Sequence, residues 1–239
     1  AVFRKETLYQ KMRALIIYLV ISAVFIGCTP ILSIDASTQS VYHFSDTDKN
    51  ISLLDISETF GTYDGSFVLY DNNLDSWKIY DLEEATKRIP PESTYKIYDA
   101  LLGLESGIIT PEHSSMTWNG DAFPFPSWEA DQDLNSAMQN SVNWYFQAID
   151  SQLGINRVQE FLNKIEYGNQ TTSSNLDLYW SDFSLKISPL EQVTLLKKFN
   201  TNEFHLNSQN VFSVKNAIKI ASTPNGNFYG KTGTGRVNG

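Results

Sequence analysis

The sequence predicts an α+β domain placed behind a single membrane-spanning helix. Segments of strand character lie at both ends of an otherwise helical stretch, an arrangement whose terminal strands are expected to pair in one sheet. A run of 21 residues without a charge, Ala14 to Ile34, precedes them, and about 20 residues of helix cross a bilayer core. Hydrophobic residues make up 41% of the 239 and aromatic residues 13%, enough to build a sizeable core and to set disorder aside.

Arg4, Lys5, Lys11 and Arg13 lie before the uncharged run with Glu6 as the one acid among them, and Asp35 follows it. By the positive-inside tendency, 1–13 is a cytoplasmic segment, 14–34 the transmembrane helix, and everything beyond is extracytoplasmic, at the cell membrane. Two other readings of the run fit less well. A cleaved signal peptide is disfavoured because the chain opens at Ala1 rather than Met, which reads as a piece of a longer protein. A lipid anchor at Cys28 is disfavoured because Phe25-Ile26-Gly27-Cys28 departs from the usual Leu-small-small-Cys pattern. Residues 35–59 are polar, rich in Ser and Asp, and read as an extracytoplasmic linker. The domain then occupies 60–239.

Within that domain, Ser66 to Tyr70 and Trp77 to Tyr80 carry β-branched and aromatic residues around Asp71-Asn72-Asn73, a hairpin pattern. Pro90-Pro91 should stop the chain before a helix opening near Ser93 and ending at Gly103 or Gly107. A second helix spans about Asp131 to Asn140, with Leu134, Ala137 and Met138 on one face. Ser188-Pro189-Leu190-Glu191 joins a capping box to a proline at the first helical position, and opens a helix reaching Phe199. Another amphipathic helix covers about Asn210 to Ile220, and Asn227 to Thr232 returns to strand character.

Composition removes several function classes. The chain has 18 bases and 27 acids, and the acidic part beyond the uncharged run has no basic cluster with which to meet nucleic-acid phosphates. Cys28 is the single cysteine, so no intrachain disulfide or thiolate zinc site can form. His43, His113 and His205 are scattered and form no metal-binding motif.

Three short motifs carry chemistry. In Ser93-Thr94-Tyr95-Lys96 the serine and lysine are one helical turn apart and share a face. A serine hydroxyl needs a base within reach to become a nucleophile, and a helix N-terminus offers backbone N–H groups for a developing oxyanion. Ser141-Val142-Asn143 follows, and Lys231-Thr232-Gly233-Thr234 stands on the expected last strand. There the glycine lets a substrate approach the backbone, and the lysine can bind a carboxylate as a point charge. Each motif alone is more often structure than site. The three in this order form the signature of the penicillin-recognising serine acyl-transfer enzymes.

The resemblance extends further. Pro91-Glu92-Ser93-Thr94-Tyr95-Lys96-Ile97, Trp118-Asn119-Gly120, Trp128 with Asp131, Tyr167-Gly168-Asn169 and Trp180 are similar to class D β-lactamases. Glu166 lacks the Leu-Asn context of the class A deacylating loop. The resemblance implies the serine β-lactamase/penicillin-binding-protein (DD-peptidase) fold, with further strands and a final helix beyond Gly239. It implies Ser93 as nucleophile, Lys96 as base and Ser141 as proton relay. Backbone N–H groups of Ser93 and Thr234 would form the oxyanion hole. Lys231, Thr232, Gly233 and Thr234, with Asn143 and Trp180, would bind substrate. No separate cofactor is implied, beyond a CO2-derived carbamate on Lys96 that Trp180 would hold.

Asn143 departs from the class D hydrolases, which have valine there. With Ser-Thr-Tyr-Lys, the Ser-Val-Asn variant resembles the sensor domains of BlaR/MecR-type β-lactam sensor-transducers. That resemblance implies a long-lived acyl adduct with β-lactam antibiotics rather than turnover. It also implies a membrane setting and a cytoplasmic zinc-protease module upstream of Ala1. A membrane-tethered class D β-lactamase is the alternative, followed by a peptidoglycan transpeptidase or carboxypeptidase.

Overall fold

The computed structural model describes residues 50–235. The expected cytoplasmic segment and transmembrane helix, and the linker up to position 49, lie outside the described residues. Among the described residues no helix is long and apolar enough to cross a membrane.

The first sheet has three strands, β1 (Ile51–Leu53), β2 (Phe67–Asp71) and β3 (Ser76–Tyr80), in the order β1-β3-β2. β2 and β3 form the expected hairpin, in register from Phe67 opposite Tyr80 to Asp71 opposite Ser76. The Asp71 carboxylate sets the turn by accepting from the backbone N–H of Asn73 at 2.8 Å and of Leu74 at 3.2 Å. β1 was not expected. It lies in the segment read as linker and pairs parallel with β3, Ile51 against Trp77. The short helix α1 (Ser57–Phe60) follows it. Three residues of polar context carry too little alternation to announce a strand, and only the exposed edge of β3 gives them a partner.

After α2 (Leu82–Thr86) the chain enters the helical body. Where one helix was expected from Ser93, the structure has a 3-10 turn, Glu92–Tyr95, running into α3 (Lys96–Glu105). Nine of the ten residues of α3 are buried, so it is a central helix with neighbours on every side. A second 3-10 turn spans Pro126–Trp128. α4 (Leu134–Gln139) starts later than expected because Asp133 caps it in a reciprocal box with Ser136.

α5 (Asn143–Ile165) is the longest helix among the described residues, and the sequence reading missed it. Its apolar pattern breaks at Gly154, which sits at φ 74°, ψ 160° and kinks the helix. α6 (Pro189–Thr201) opens as the Ser188 box predicts. The Ser188 hydroxyl accepts from Glu191 N–H, and the Glu191 carboxylate accepts from Ser188 N–H at 2.9 Å. α7 (Ser208–Ala217) ends before the expected Ile220, because Lys219 and Ile220 belong to a strand.

One core lies around α3 and α5, with Tyr95, Tyr98, Leu101, Tyr145, Phe146, Ile149, Tyr167 and Trp180 nearly or fully buried. A smaller one, Val68, Trp77, Ile79, Ala85, Leu190 and Val193, joins the first sheet to α6.

The last two strands, β4 (Lys219–Thr223) and β5 (Gly226–Tyr229), form a separate exposed two-stranded sheet. The expectation that the terminal strands share one sheet is therefore not met among the described residues. A cleft of about 730 Å³ is lined by residues of both sheets, Phe67 and Tyr70 of the first and Ile220, Phe228 and Tyr229 of the second, and no strand of one pairs with a strand of the other. Lys231 to Thr234 was expected on the last strand. β5 stops at Tyr229, and the motif follows as irregular backbone after Gly230 N–H donates to Ile218 O at 2.9 Å.

Candidate active site

The site is assembled where the Pro90-Pro91 stop meets α3. Pro91 cannot extend a strand, and Glu92 takes a left-handed φ of 52°, which turns the chain into the 3-10 turn. Glu92 N–H donates to Trp180 O at 3.0 Å and Thr94 N–H to Pro91 O at 3.2 Å. Ser93 thereby stands at the start of the helical run, with Lys96 one turn on.

Lys96 is fully buried, and its ammonium is surrounded by oxygens. It donates to Ser93 Oγ at 2.9 Å, Ser141 O at 2.9 Å, Ser141 Oγ at 3.1 Å and Asn143 Oδ1 at 2.6 Å. Ser141 can offer both oxygens because it links α4 to α5 in a left-handed conformation, φ 55°; such a conformation costs a non-glycine residue on the order of 1 kcal/mol or more. Lys231 Nζ completes the chain, donating to Ser141 Oγ at 2.9 Å and Thr232 O at 3.0 Å. Ser93, Lys96, Ser141 and Lys231 thus form one continuous hydrogen-bonded line. Gly233 lies against the nucleophile turn, where an added Cβ would stand 3.0 Å from Pro91 O and from Thr94 Cγ2. Thr232 and Thr234 flank it at the exposed mouth.

Electrostatics favour a lysine that can lose its proton. Burial, followed by the positive charge of Lys231, pushes Lys96 down to about 7, against the opposing pull of Asp99 and Glu92. Burial pushes Lys231 down to about 8. Burial also raises Glu92 to about 7, opposed by Lys96. Near neutral pH a sizeable fraction of Lys96 is therefore a free amine beside a serine hydroxyl, the pairing that nucleophilic catalysis requires.

Trp180 forms the rear wall. Its ring centroid is 5.1 Å from Lys96 Nζ, with that of Phe146 at 5.7 Å. The buried Trp180 Nε1–H has no hydrogen-bond acceptor. That orphaned donor is of the kind a carbamate on Lys96 would use, so Trp180 and the apolar wall suit such a group, while Asn143 Oδ1 competes for the same lysine.

Tyr167-Gly168-Asn169 proves to be a clamp on the Trp180 loop. Asn169 N–H donates to Lys186 O at 2.9 Å, its Nδ2 to Ser184 O at 2.7 Å, and its Oδ1 accepts from Lys186 N–H at 2.9 Å. Gly168 sits at φ 49°, where an added Cβ would fall 1.9 Å from Lys186 O. Glu92, Asp99 and Asp150 were not singled out from the sequence as site residues. Glu92 and Asp99 are the acids that act on Lys96, and only Asp99 is announced by spacing, three residues on along α3.

A family model of the penicillin binding protein transpeptidase domain matches residues 60–239. The chain belongs to the penicillin-binding transpeptidase-domain family. Within it, the chain is 43% identical over 234 residues to Regulatory protein BlaR1 of Bacillus licheniformis, a match covering 97% of this chain and 38% of that protein. It therefore spans well under half the length of that curated relative. The solved C-terminal domain of the Bacillus licheniformis BlaR penicillin-receptor superposes with a TM-score of 0.77 at 46% identity, covering 80% of this chain and 78% of that one. Probable beta-lactamase YbxI of Bacillus subtilis (strain 168) is 35% identical over 185 residues, covering 77% of this chain and 69% of that protein. The similarity is thus to BlaR/MecR-type receptors and to β-lactamases together, on the fold of the penicillin-binding transpeptidase domain.

Proposed function

We propose that this chain is the β-lactam-sensing part of a BlaR/MecR-type receptor, in which Ser93 is acylated by the antibiotic and the adduct persists. Neutral Lys96 takes the Ser93 proton as Oγ attacks the lactam carbonyl. Backbone N–H groups of Ser93 and Thr234 receive the oxyanion. Collapse breaks the lactam C–N bond, and the proton returns to the leaving ring nitrogen through Ser141. The antibiotic carboxylate lies toward Lys231 and Thr232, beside Gly233.

The observation that carries the receptor reading is the 2.6 Å contact from Lys96 Nζ to Asn143 Oδ1. An acceptor at that distance stabilises the ammonium form and opposes the carbamate that would activate a deacylating water. When bound, a carbamate would supply that general base, held by Trp180 Nε1–H. With Asn143 on the lysine instead, the acyl adduct outlives the encounter and can be read as a signal. The remaining parts of the proposal are an extracytoplasmic domain, the span 14–34, and an upstream cytoplasmic zinc-protease module that receives the signal.

A membrane-tethered class D β-lactamase is the second reading. It is favoured by the orphaned Trp180 Nε1–H and by the similarity to Probable beta-lactamase YbxI.

The test is intact-mass spectrometry of the full-length protein in detergent micelles with a reporter penicillin, followed over hours. One stable adduct at Ser93, lost in Ser93→Ala, supports the receptor. Rapid acylation followed by return of free protein with hydrolysed penicillin supports the hydrolase and overturns the receptor reading.

A further inference from the structure

Trp128 has no part in the acylation chemistry above, yet it is tied to the residues on both sides of the Ser141–Asn143 motif. Its indole Nε1–H donates to Asn140 O at 3.0 Å, and its own carbonyl accepts from Trp144 Nε1–H at 2.9 Å. Asn140 immediately precedes Ser141, and Trp144 immediately follows Asn143. Among the described residues the hydrogen bonds of Trp128 run to Phe125, Asn140 and Trp144, and none reaches Ser93 or Lys96.

The tie meets the chain at a strained residue. α4 ends in a Schellman cap: Val142 N–H donates to Ala137 O at 2.9 Å and Ser141 N–H to Met138 O at 3.3 Å. Such a cap places the residue after the helix in the left-handed region, a position glycine usually fills. Here it is Ser141, at φ 55°. The site needs a hydroxyl at that point, because Ser141 Oγ accepts from both Lys96 and Lys231 while Ser141 O accepts from Lys96. A serine held in that region is under a steady bias toward negative φ.

Relaxation would rotate the Asn140–Ser141 peptide, and that peptide is gripped at both ends. Its N–H is committed to Met138 O through a long bond of 3.3 Å, and its C=O is held by the Trp128 indole. The indole is fixed in turn. Trp128 closes the 3-10 turn Pro126–Trp128, and its ring packs against Phe123 and Phe125 at centroid distances of 5.8 and 5.3 Å. The buried Gln132 side chain anchors the same turn by donating to Ser127 O at 2.9 Å.

We propose that Trp128 is a positioning residue for the acylation: by holding Asn140 O it keeps Ser141 left-handed, so that Ser141 Oγ stays between Lys96 and Lys231. The proposal rests on Ser93 being acylated with Lys96 as base and Ser141 as relay, and it holds whether the adduct then persists or turns over. It adds a residue that reaches the reaction only through Ser141, from the loop that precedes α4.

The experiment follows acylation of the full-length protein in detergent micelles by a reporter penicillin, separating the pre-acylation Kd from the limiting rate constant. Trp128→Phe keeps a ring and removes the N–H donor. The limiting rate should fall about five- to tenfold, the worth of one hydrogen bond, with Kd unchanged. Because the effect passes through Ser141, the same substitution should cost much less when made in Ser141→Ala. Equal losses in the two backgrounds, as a packing role alone would give, overturn the proposal. A changed Kd with an unchanged limiting rate overturns it too, since Trp128 would then be a wall of the antibiotic pocket.

Should Trp128→Phe fail to fold, tryptophan analogues at position 128 decide it. Benzothienylalanine, which carries sulfur in place of the N–H, should slow acylation, and a ring-fluorinated tryptophan, which keeps the N–H, should restore the rate. Equal rates for the two overturn the proposal. Absence of acylation at Ser93 in the wild type would sink the acylation reading itself. Normal wild-type acylation with equal losses in both backgrounds would sink the Trp128 proposal alone.

Discussion

Replacing Asn143 by valine tests the contact on which the choice between receptor and hydrolase turns. The substitution removes the acceptor 2.6 Å from Lys96 Nζ and leaves Ser93 Oγ and both Ser141 oxygens in place, so the lysine is not orphaned. A hydrogen bond to a charged group contributes about 1.5–3 kcal/mol, equivalent to roughly 1–2 pK units. Because Asn143 stabilises the ammonium, its loss lowers Lys96 further below the ordinary lysine range. At pH 6, below the wild-type midpoint of about 7, most of the lysine is charged, so the free amine then rises several-fold, by at most about tenfold. At pH 8 most of the lysine is already neutral, and the gain is slight. A carbamate forms from the free amine, so its amount should follow the same pattern. The assay is 13C NMR of protein equilibrated with labelled bicarbonate at pH 6 and 8, with the adduct lifetime measured in parallel. A carbamate signal that does not grow at pH 6, or that grows equally at both pH values, would refute the argument. A longer rather than shorter adduct lifetime in Asn143→Val would do so as well.

Three further outcomes are expected. Acylation of the wild-type protein should show an acid limb centred near pH 7, because Lys96 titrates at about 7 and only the neutral amine can take the serine proton. The rate should fall about tenfold per pH unit below it, and since Glu92 titrates in the same region, a limb that survives in Glu92→Gln assigns it to the lysine. Gly168→Ala places a Cβ 1.9 Å from Lys186 O at φ 49°, so chemical denaturation should show a loss of about 2–4 kcal/mol, with slower acylation as the Trp180 loop loses its clamp. Ser188→Ala removes the cap of α6 and should cost about 1 kcal/mol in the same assay, with the acylation rate unchanged because α6 contributes no group to the hydrogen-bonded line.

Local chemistry made part of this molecule legible in advance. The β2–β3 hairpin and the start of α6 are written in neighbouring residues: Asp71 makes its own turn, and Ser188 with Glu191 makes its own cap. The Ser93–Lys96 pair is likewise local, since one helical turn brings i and i+3 together. Ser141 and Lys231 could be named only as members of a motif set, because nothing in their spacing brings either to Lys96. α5 was missed because Gly154 interrupts its periodicity, and β1 because three residues cannot declare a strand without the edge they pair with.

What the sequence by itself determined was the chemistry available: a serine with a lysine one turn away, a polar amide at position 143, and the turn and cap that open the β2–β3 hairpin and α6. Tertiary structure alone decided that Ser141 would turn through a left-handed conformation to give Lys96 two oxygens, that Asn143 would reach it at 2.6 Å, and that Lys231 would close the line from 90 residues beyond Ser141. The physical reason is the same in each case. Burial and long-range proximity set the protonation of these groups, and neither quantity exists until α3, α5 and the Trp180 loop have packed together.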